Sequence, residues 1–416
     1  MNPDTKPKTT EEKFLTKPLM IICLTVFIDL VGFGIMIPLL PYYAETAPFF
    51  ATPFEIGILF ASYSLMQFIF APVLGSLSDK YGRRPVLFFS ILGSTIGYLL
   101  IGFAFALWMV FAGRIVAGIT GGNISTAQAY IADVTSKENR AKGMGLFGAM
   151  FGLGFIFGPV IGGIMSRYGI HVPFLFAAGL SFLNACFLFF ILPETVNKDL
   201  YDREKLRRNR FVELIISLKD PQFGTLTAVY FFLVTSFSIM TYAFVLYTIE
   251  RFDYTAEQNG YLFFYIGILA VIFQGGVFGR LVKKFGENPL MIAGSVFMAI
   301  SLFLIPFVTP QFGGLTGIIA VVTLLAIGNS MASPSITSLG SKVAKENEQG
   351  KSLGVLQSAA SLARAIGPIV GGVLLNNAMN KVDSASIQRT FWTASVIMIL
   401  TIFIAIYFAK MERKRA

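Results

Sequence analysis

Three charged side chains sit where charge is costly. Asp29, Arg114 and Arg364 each fall inside a long apolar run, and ionised groups in such runs pair, hydrate or mark the path of a transported ion. Asp29 is the deepest acid, about 11 residues or roughly 16 Å from the start of its run at helical rise. A carboxyl there keeps a proton when isolated and yields it when a cation faces it, so alternation between two surroundings would load and unload a proton. Arg114 lies about six residues, roughly 9 Å, from the far end of its own run. In an apolar core about 30 Å thick the two depths match. Asp29 is therefore the candidate proton- or cation-coupling group and Arg114 its electrostatic partner, a static buried pair being the plainer alternative. Arg364, some 12 residues into its run, has no acidic partner in its half. It either receives an anionic group of a substrate, which a guanidinium binds in bidentate fashion, or bonds helix carbonyls or an amide such as Gln357.

Neutral hydrogen-bonding groups in the runs are Gln67, Asn123, Gln128, Gln274, Asn329 and Gln357. They either line a cavity or bridge helices. Phe33, Tyr63 and Tyr242 are candidates for the apolar wall of an amphipathic cavity. Enzyme chemistry finds no support: there are no paired carboxylates, no activated Ser or Cys, a single His171, and two cysteines, Cys23 and Cys186, both in apolar runs. No catalytic residue, metal site or cofactor is expected. Gly350-Lys351-Ser352 resembles the end of a phosphate loop, but Lys345 stands where the first glycine is required, so no ATP site is expected.

The elements that position these residues follow from composition. With 55% hydrophobic and 13% charged positions among 416 residues, the chain is too apolar to be water-soluble. Apolar runs broken by charges, Pro and Gly give twelve helices of membrane-crossing length, the fourth at 108–131 and the last at 391–408. The 43 Phe suit lipid-facing surface and the 40 Gly suit close helix packing. Residues 1–17 are polar and mixed in charge, so they are expected to be a tail and not a cleaved signal. Of 33 Lys and Arg, 27 fall in the two tails and the even-numbered loops, which places both termini in the cytoplasm. The net charge of +10 is topogenic, with attraction to lipid headgroups, and no evidence for nucleic acid.

The basic stretch 194–222 divides an N-terminal bundle, 18–193, from a C-terminal bundle, 223–410, with a second tail at 411–416. Repetition supports the division. Gly158-Pro159-Val160-Ile161-Gly162-Gly163 returns as Gly367-Pro368-Ile369-Val370-Gly371-Gly372, an offset of 209. Gly122-Asn123 returns as Gly328-Asn329 at 206, and Lys137-Glu138-Asn139 as Lys345-Glu346-Asn347 at 208. Two parallel six-helix repeats around a midplane site describe a secondary transporter that rocks between two open states.

The stretch Gly75-Ser-Leu-Ser-Asp79-Lys-Tyr-Gly82-Arg83-Arg84-Pro85 resembles the signature loop of the major facilitator superfamily, and Gly279 to Gly286 is a degenerate copy. Asp29 to Pro41, Arg114 to Gly118 and Gly154-Phe-Ile-Phe-Gly158-Pro159-Val-Ile-Gly162-Gly163 resemble motifs of its twelve-helix drug:proton antiporter branch. The last is similar to the motif called antiporter-specific, with ordinary glycine packing as the alternative. The likeness is densest from Asp29 to Gly163, where it includes Gln67 and is similar to tetracycline efflux pumps. In the second half Ala270 stands where those pumps carry a helix-8 histidine, and Gly294-Ser295 around their helix-9 aspartate, so the resemblance does not carry tetracycline over as substrate. It implies an all-α membrane fold of two six-helix bundles related by a pseudo-two-fold axis. It also implies a charge lock of Gly75, Asp79, Gly82, Arg83 and Arg84 against the other half, and a packing face of Gly154, Gly158, Pro159, Gly162 and Gly163. The implied activity is proton-coupled export of small amphipathic organic compounds from a bacterial-type cytoplasmic membrane by a monomer. An importer or facilitator of a small organic anion, a lipid flippase and a membrane scaffold are the alternatives.

Overall fold

The computed structural model describes residues 15–46, 48–136, 139–196, 219–343 and 349–414, helical throughout with no strand among them. Twelve helices are long and apolar enough to cross a membrane. They are α1 (Lys17–Glu45), α2 (Pro53–Tyr81), α3 (Arg83–Gly102), α4 (Leu107–Val134), α5 (Arg140–Met165) and α6 (Val172–Ile191). The second six are α7 (Pro221–Phe252), α8 (Ala256–Phe285), α9 (Glu287–Leu304), α10 (Gly314–Val343), α11 (Gln349–Leu375) and α12 (Ser384–Arg413). Most of the 194–222 linker, all but Asn139 of the two lysine-glutamate-asparagine copies and most of the N-terminal tail lie outside the described residues.

Helix ends follow caps more than hydropathy. The last helix, expected at 391–408, starts at Ser384 because Asp383 and Ser386 form a reciprocal cap, and ends with Lys410 and Arg413 in its final turn. The Asn377 amide and the Ser386 backbone and hydroxyl groups hold the Asp383 carboxyl down at about 2. A value below the ordinary one, about 4, means that the cap contributes fully above pH 4 and fades as pH falls through 2. The amide protection factors at Ser386 and Ile387, expected to be unchanged from pH 7 to 5 and lower near pH 2, check this.

The repeat is visible in the caps. Thr52 with Glu55 opens α2 and Thr255 with Gln258 opens α8, two capping boxes 203 residues apart. It is equally visible in the packing: α1 rests on α5 and α7 on α11, α3 on α4 and α6, α9 on α10 and α12. Without a hydrophobic drive between helices in lipid, small residues supply the close approach. A Cβ on Gly158 would stand 2.6 Å from Gly34 Cα and 2.7 Å from the Val31 carbonyl oxygen. Its repeat partner Gly367 would meet Ser238 Cβ at 2.6 Å and the Thr235 carbonyl at 3.0 Å.

The halves meet where α5 crosses α8 and where α2 crosses α11. A Cβ on Gly260 would stand 2.6 Å from the Pro159 carbonyl, and one on Gly163 would stand 2.9 Å from Glu257 Cα. At the related crossing, Gly57 faces the Pro368 carbonyl so closely that a Cβ would collide with it, and Gly372 would meet the Pro53 carbonyl at 3.0 Å. The predicted glycine face is thus split: Gly154, Gly158 and Gly162 serve α1 within their own half, while Pro159 and Gly163 serve the other half. Polar latches reinforce this sealed end. The Arg167 guanidinium pairs with Glu257, Nε to Oε2 at 2.5 Å, and the Tyr42 hydroxyl donates to the Tyr254 carbonyl while accepting from Asn259 Nδ2 at 2.6 Å. Towards the end that carries the start of α1 and the end of α12 the halves part. Gly145, Gly148 and Gly152 of α5 and Gly354 of α11 have only open space where a Cβ would stand.

Candidate functional site

The site begins with a break. At Gly121 and Gly122 the fourth helix divides into Leu107–Thr120 and Asn123–Val134, where hydropathy alone predicts one continuous helix. Freed carbonyls need donors, and side chains supply them: Ser90 Oγ donates to Thr120 at 2.7 Å, Gln67 Nε2 to Gly121 at 2.9 Å and Ser125 Oγ to Gly122 at 2.9 Å. The break aims Asn123, buried at the start of the second segment, at α1. Its Nδ2 donates to Asp29 Oδ2 at 3.2 Å.

Arg114 is not the contact partner of Asp29. Its guanidinium, 3% exposed, donates from Nε to the Leu59 carbonyl of α2 at 3.1 Å and lies over the Tyr63 ring at 4.6 Å. Rotation about the α4 axis turns Arg114 onto α2 and leaves Asp29 to Asn123. Tyr63 mediates between the charges: it lies within electrostatic reach of Asp29, Arg114 and Arg364. Its ring sits 5.2 Å from Phe33, which in turn sits 5.5 Å from Phe155.

Gln67 is 7% exposed and holds the α4 break, so the expectation of a cavity-lining amide gives way to a bridging one. Replacing it with Leu strands the Gly121 carbonyl, a loss of about 1 to 3 kcal/mol. A lowered Tm with substrate affinity unchanged is the expected result, read by thermal unfolding in detergent. Tyr242, another candidate for the cavity wall, is 1% exposed and donates its hydroxyl to the Pro53 carbonyl across the halves. It braces the sealed end, its ring 5.9 Å from that of Phe60 in α2. Asn329 and Gln357 are half-buried and make no side-chain hydrogen bond among the described residues. Arg364 donates to Ser361 Oγ of its own helix at 3.1 Å, and not to Gln357.

The signature loop is tied into its own half. Arg83 reaches Asp79 at 2.5 Å, Ser78 at 2.7 Å and Asp133 at 3.1 Å, and the Glu194 carboxylate accepts from the Arg83 and Arg84 backbone amides. Gly82, at φ 112°, makes the turn, and a Cβ there would collide with Glu194. Gly75 is buried in α2, and Arg84 lies over the Phe189 ring at 5.2 Å. The lock implied by the resemblance is not engaged by Arg83 or Arg84, because the halves have parted at this end. In the degenerate copy the acid has moved past the glycine, and Glu287 pairs with Lys342 and accepts from Ser338 at 3.0 Å. No cluster of metal-ligating side chains occurs among the described residues.

The model of the Major Facilitator Superfamily matches residues 22–368 and 275–416. The class H tetracycline resistance protein of Pasteurella multocida is 34% identical over 407 residues, covering 95% of this chain and 96% of that one. The class C tetracycline resistance protein of Escherichia coli is 35% identical, covering 85% and 88%. The crystal structure of the human organic anion transporter MFSD10 (TETRAN) superposes with a TM-score of 0.69 at 23% identity, over 94% of this chain and all of that one. The chain belongs to the major facilitator superfamily, and is a multi-pass membrane transport protein, not an enzyme.

Proposed function

We propose that the protein is a proton-coupled antiporter that exports small amphipathic organic compounds, among them drugs, by alternating access. Asp29 is its proton-coupling group, and Tyr63, Phe33, Asn123, Asn329, Gln357 and Arg364 belong to the substrate cavity. With both termini and the linker in the cytoplasm of a bacterial-type cell, the sealed end faces outward and the structure is the inward-open state. Asp79, Arg83 and Arg84 would then engage the other half when the cavity opens outward, and no ATP site is needed because the gradient drives the cycle.

The observation that carries this reading is the hydrogen bond from Asn123 to Asp29, made by a helix broken at the cost of three carbonyls that side chains must satisfy. A fold need not place a carboxyl at membrane depth and then build a break to meet it. At the repeat-related place in α7 stands buried Leu233, so the architecture works without the acid. Tetracycline resistance relatives over nearly the whole chain support export as the direction.

Everted membrane vesicles test the reading. A fluorescent amphiphile is expected to accumulate against its gradient when the lumen is acidified, and to leak back when a protonophore is added. Accumulation that needs ATP, or mere equilibration, contradicts it.

A further inference from the structure

We infer that Arg364 is the subsite for an anionic group of the substrate and that Asp29, on the facing half, takes a cationic group, so that the transported compounds are dipolar amphiphiles. The inference rests on the antiport reading and adds to it the charge pattern of the substrate.

The placement of Arg364 follows from the repeat. At the offset of 209, Gly145, Gly148, Gly152, Phe155 and Pro159 of α5 correspond to Gly354, Gln357, Ser361, Arg364 and Pro368 of α11. Spacings of three and four residues put each set on one helix face. On α5 that face looks into open space at Gly145, Gly148 and Gly152 and closes onto the other half at Pro159. On α11 it is open at Gly354 and closes onto Gly57 at Pro368. Arg364 therefore lies one turn beneath the seal, facing the space between the halves, within electrostatic reach of Tyr230 in α7 and Tyr63 in α2.

The fold does not demand a charge there, since Phe155 fills the related place and packs on Phe33. Nor does the protein satisfy the guanidinium. Arg364 makes one side-chain hydrogen bond, to Ser361, and no ion pair among the described residues, whereas Arg114 is stacked on Tyr63 and bonded to Leu59. A guanidinium offers five donors in a planar fork matched to a carboxylate, and most of that fork is unoccupied. The sign of coupling fixes the other pole. An anion alone would favour protonated Asp29, which couples in the wrong direction for exchange. A cationic group that displaces the proton from Asp29 restores competition between substrate and proton.

Four probes separate the poles: 2-naphthylalanine, its amide, its N-acetyl derivative and its N-acetyl amide, binding to the full-length protein in detergent. The two carboxylates are expected to bind wild type about tenfold more tightly than their amides. Arg364→Gln removes that preference and leaves the two amides unchanged, and Arg364→Lys, a point charge, restores part of it. Equal binding of acids and amides to wild type, or a uniform loss for all four probes in Arg364→Gln, overturns the assignment. The wild-type comparison decides even if that variant does not fold. Phosphatidylglycerol in nanodiscs that displaces the carboxylates, where phosphatidylcholine does not, assigns the same anion subsite to a lipid headgroup. Retained carboxylate preference without proton release by the amines refutes antiport and leaves Arg364 standing; the converse refutes only the Arg364 assignment.

Discussion

Asp29→Asn is expected to abolish accumulation driven by a pH gradient and to weaken the binding of cationic substrates, while exchange at saturating substrate across the same membrane stays within about twofold of wild type, a change of roughly 0.4 kcal/mol. The replacement keeps the shape of the side chain and an oxygen to accept from Asn123, whose Nδ2 lies 3.2 Å from the carboxylate, so the break in α4 and its satisfied carbonyls survive. What disappears is the carboxyl that takes up and gives back a proton. A fixed neutral side chain permits the rocking motion with substrate bound, but no longer couples it to proton flow. Proteoliposomes loaded with the fluorescent amphiphile measure both processes, uphill uptake after a pH jump and isotope counterflow at equal pH. Equal loss of the two at saturating substrate would mean that Asp29 serves folding and not coupling.

The second large effect separates two kinds of glycine. Gly158→Leu places a side chain where Gly34 Cα and the Val31 carbonyl already stand, at 2.6 and 2.7 Å from the new Cβ. Both neighbours are backbone of the same half and neither can step aside. Overpacking of this kind costs on the order of 3 kcal/mol, so the yield of folded protein and its Tm fall. Gly57→Leu is equally crowded, but by the Pro368 carbonyl of the opposite half. There the halves can simply stay apart. The expected result is a well-folded protein of near wild-type Tm that does not transport and rests open at the normally sealed end. A cysteine at Ser64, 7% exposed and two turns from Gly57 on the same face of α2, on a background without Cys23 and Cys186, should then react with a membrane-impermeant maleimide from that side, and remain protected in the parent. A Gly57→Leu protein that transports normally, or one that unfolds as Gly158→Leu does, contradicts this division of labour.

Much of this was legible in the sequence because spacing along a helix is a length, and lengths survive translation into structure. The twelve spans and the duplication at 209 residues are both lengths. Azimuth is not encoded so directly. Arg114 was placed at the depth of Asp29 but turned towards α2, and Tyr242, read as cavity wall, lies in the seal. The α4 break was hidden because Gly121 and Gly122 sit in an apolar run, where hydropathy averages over them. Its signal was the polar residue on either side, Thr120 and Asn123. The cross-half pair of Arg167 and Glu257 was beyond reach, since 90 residues separate partners that only the rocking geometry brings together. Phe155 and Ser361 could have been found by carrying the repeat through the whole helix and asking where its two copies differ in chemistry.

Proton release from the solubilised, weakly buffered protein tests the central claim most directly. Naphthylalanine and its amide, the two probes with a free amine, are expected to release protons from wild type and none from Asp29→Asn, while the N-acetylated pair release none from either. Release that is unchanged in Asp29→Asn, or absent although the amines bind, would contradict Asp29 as the coupling group.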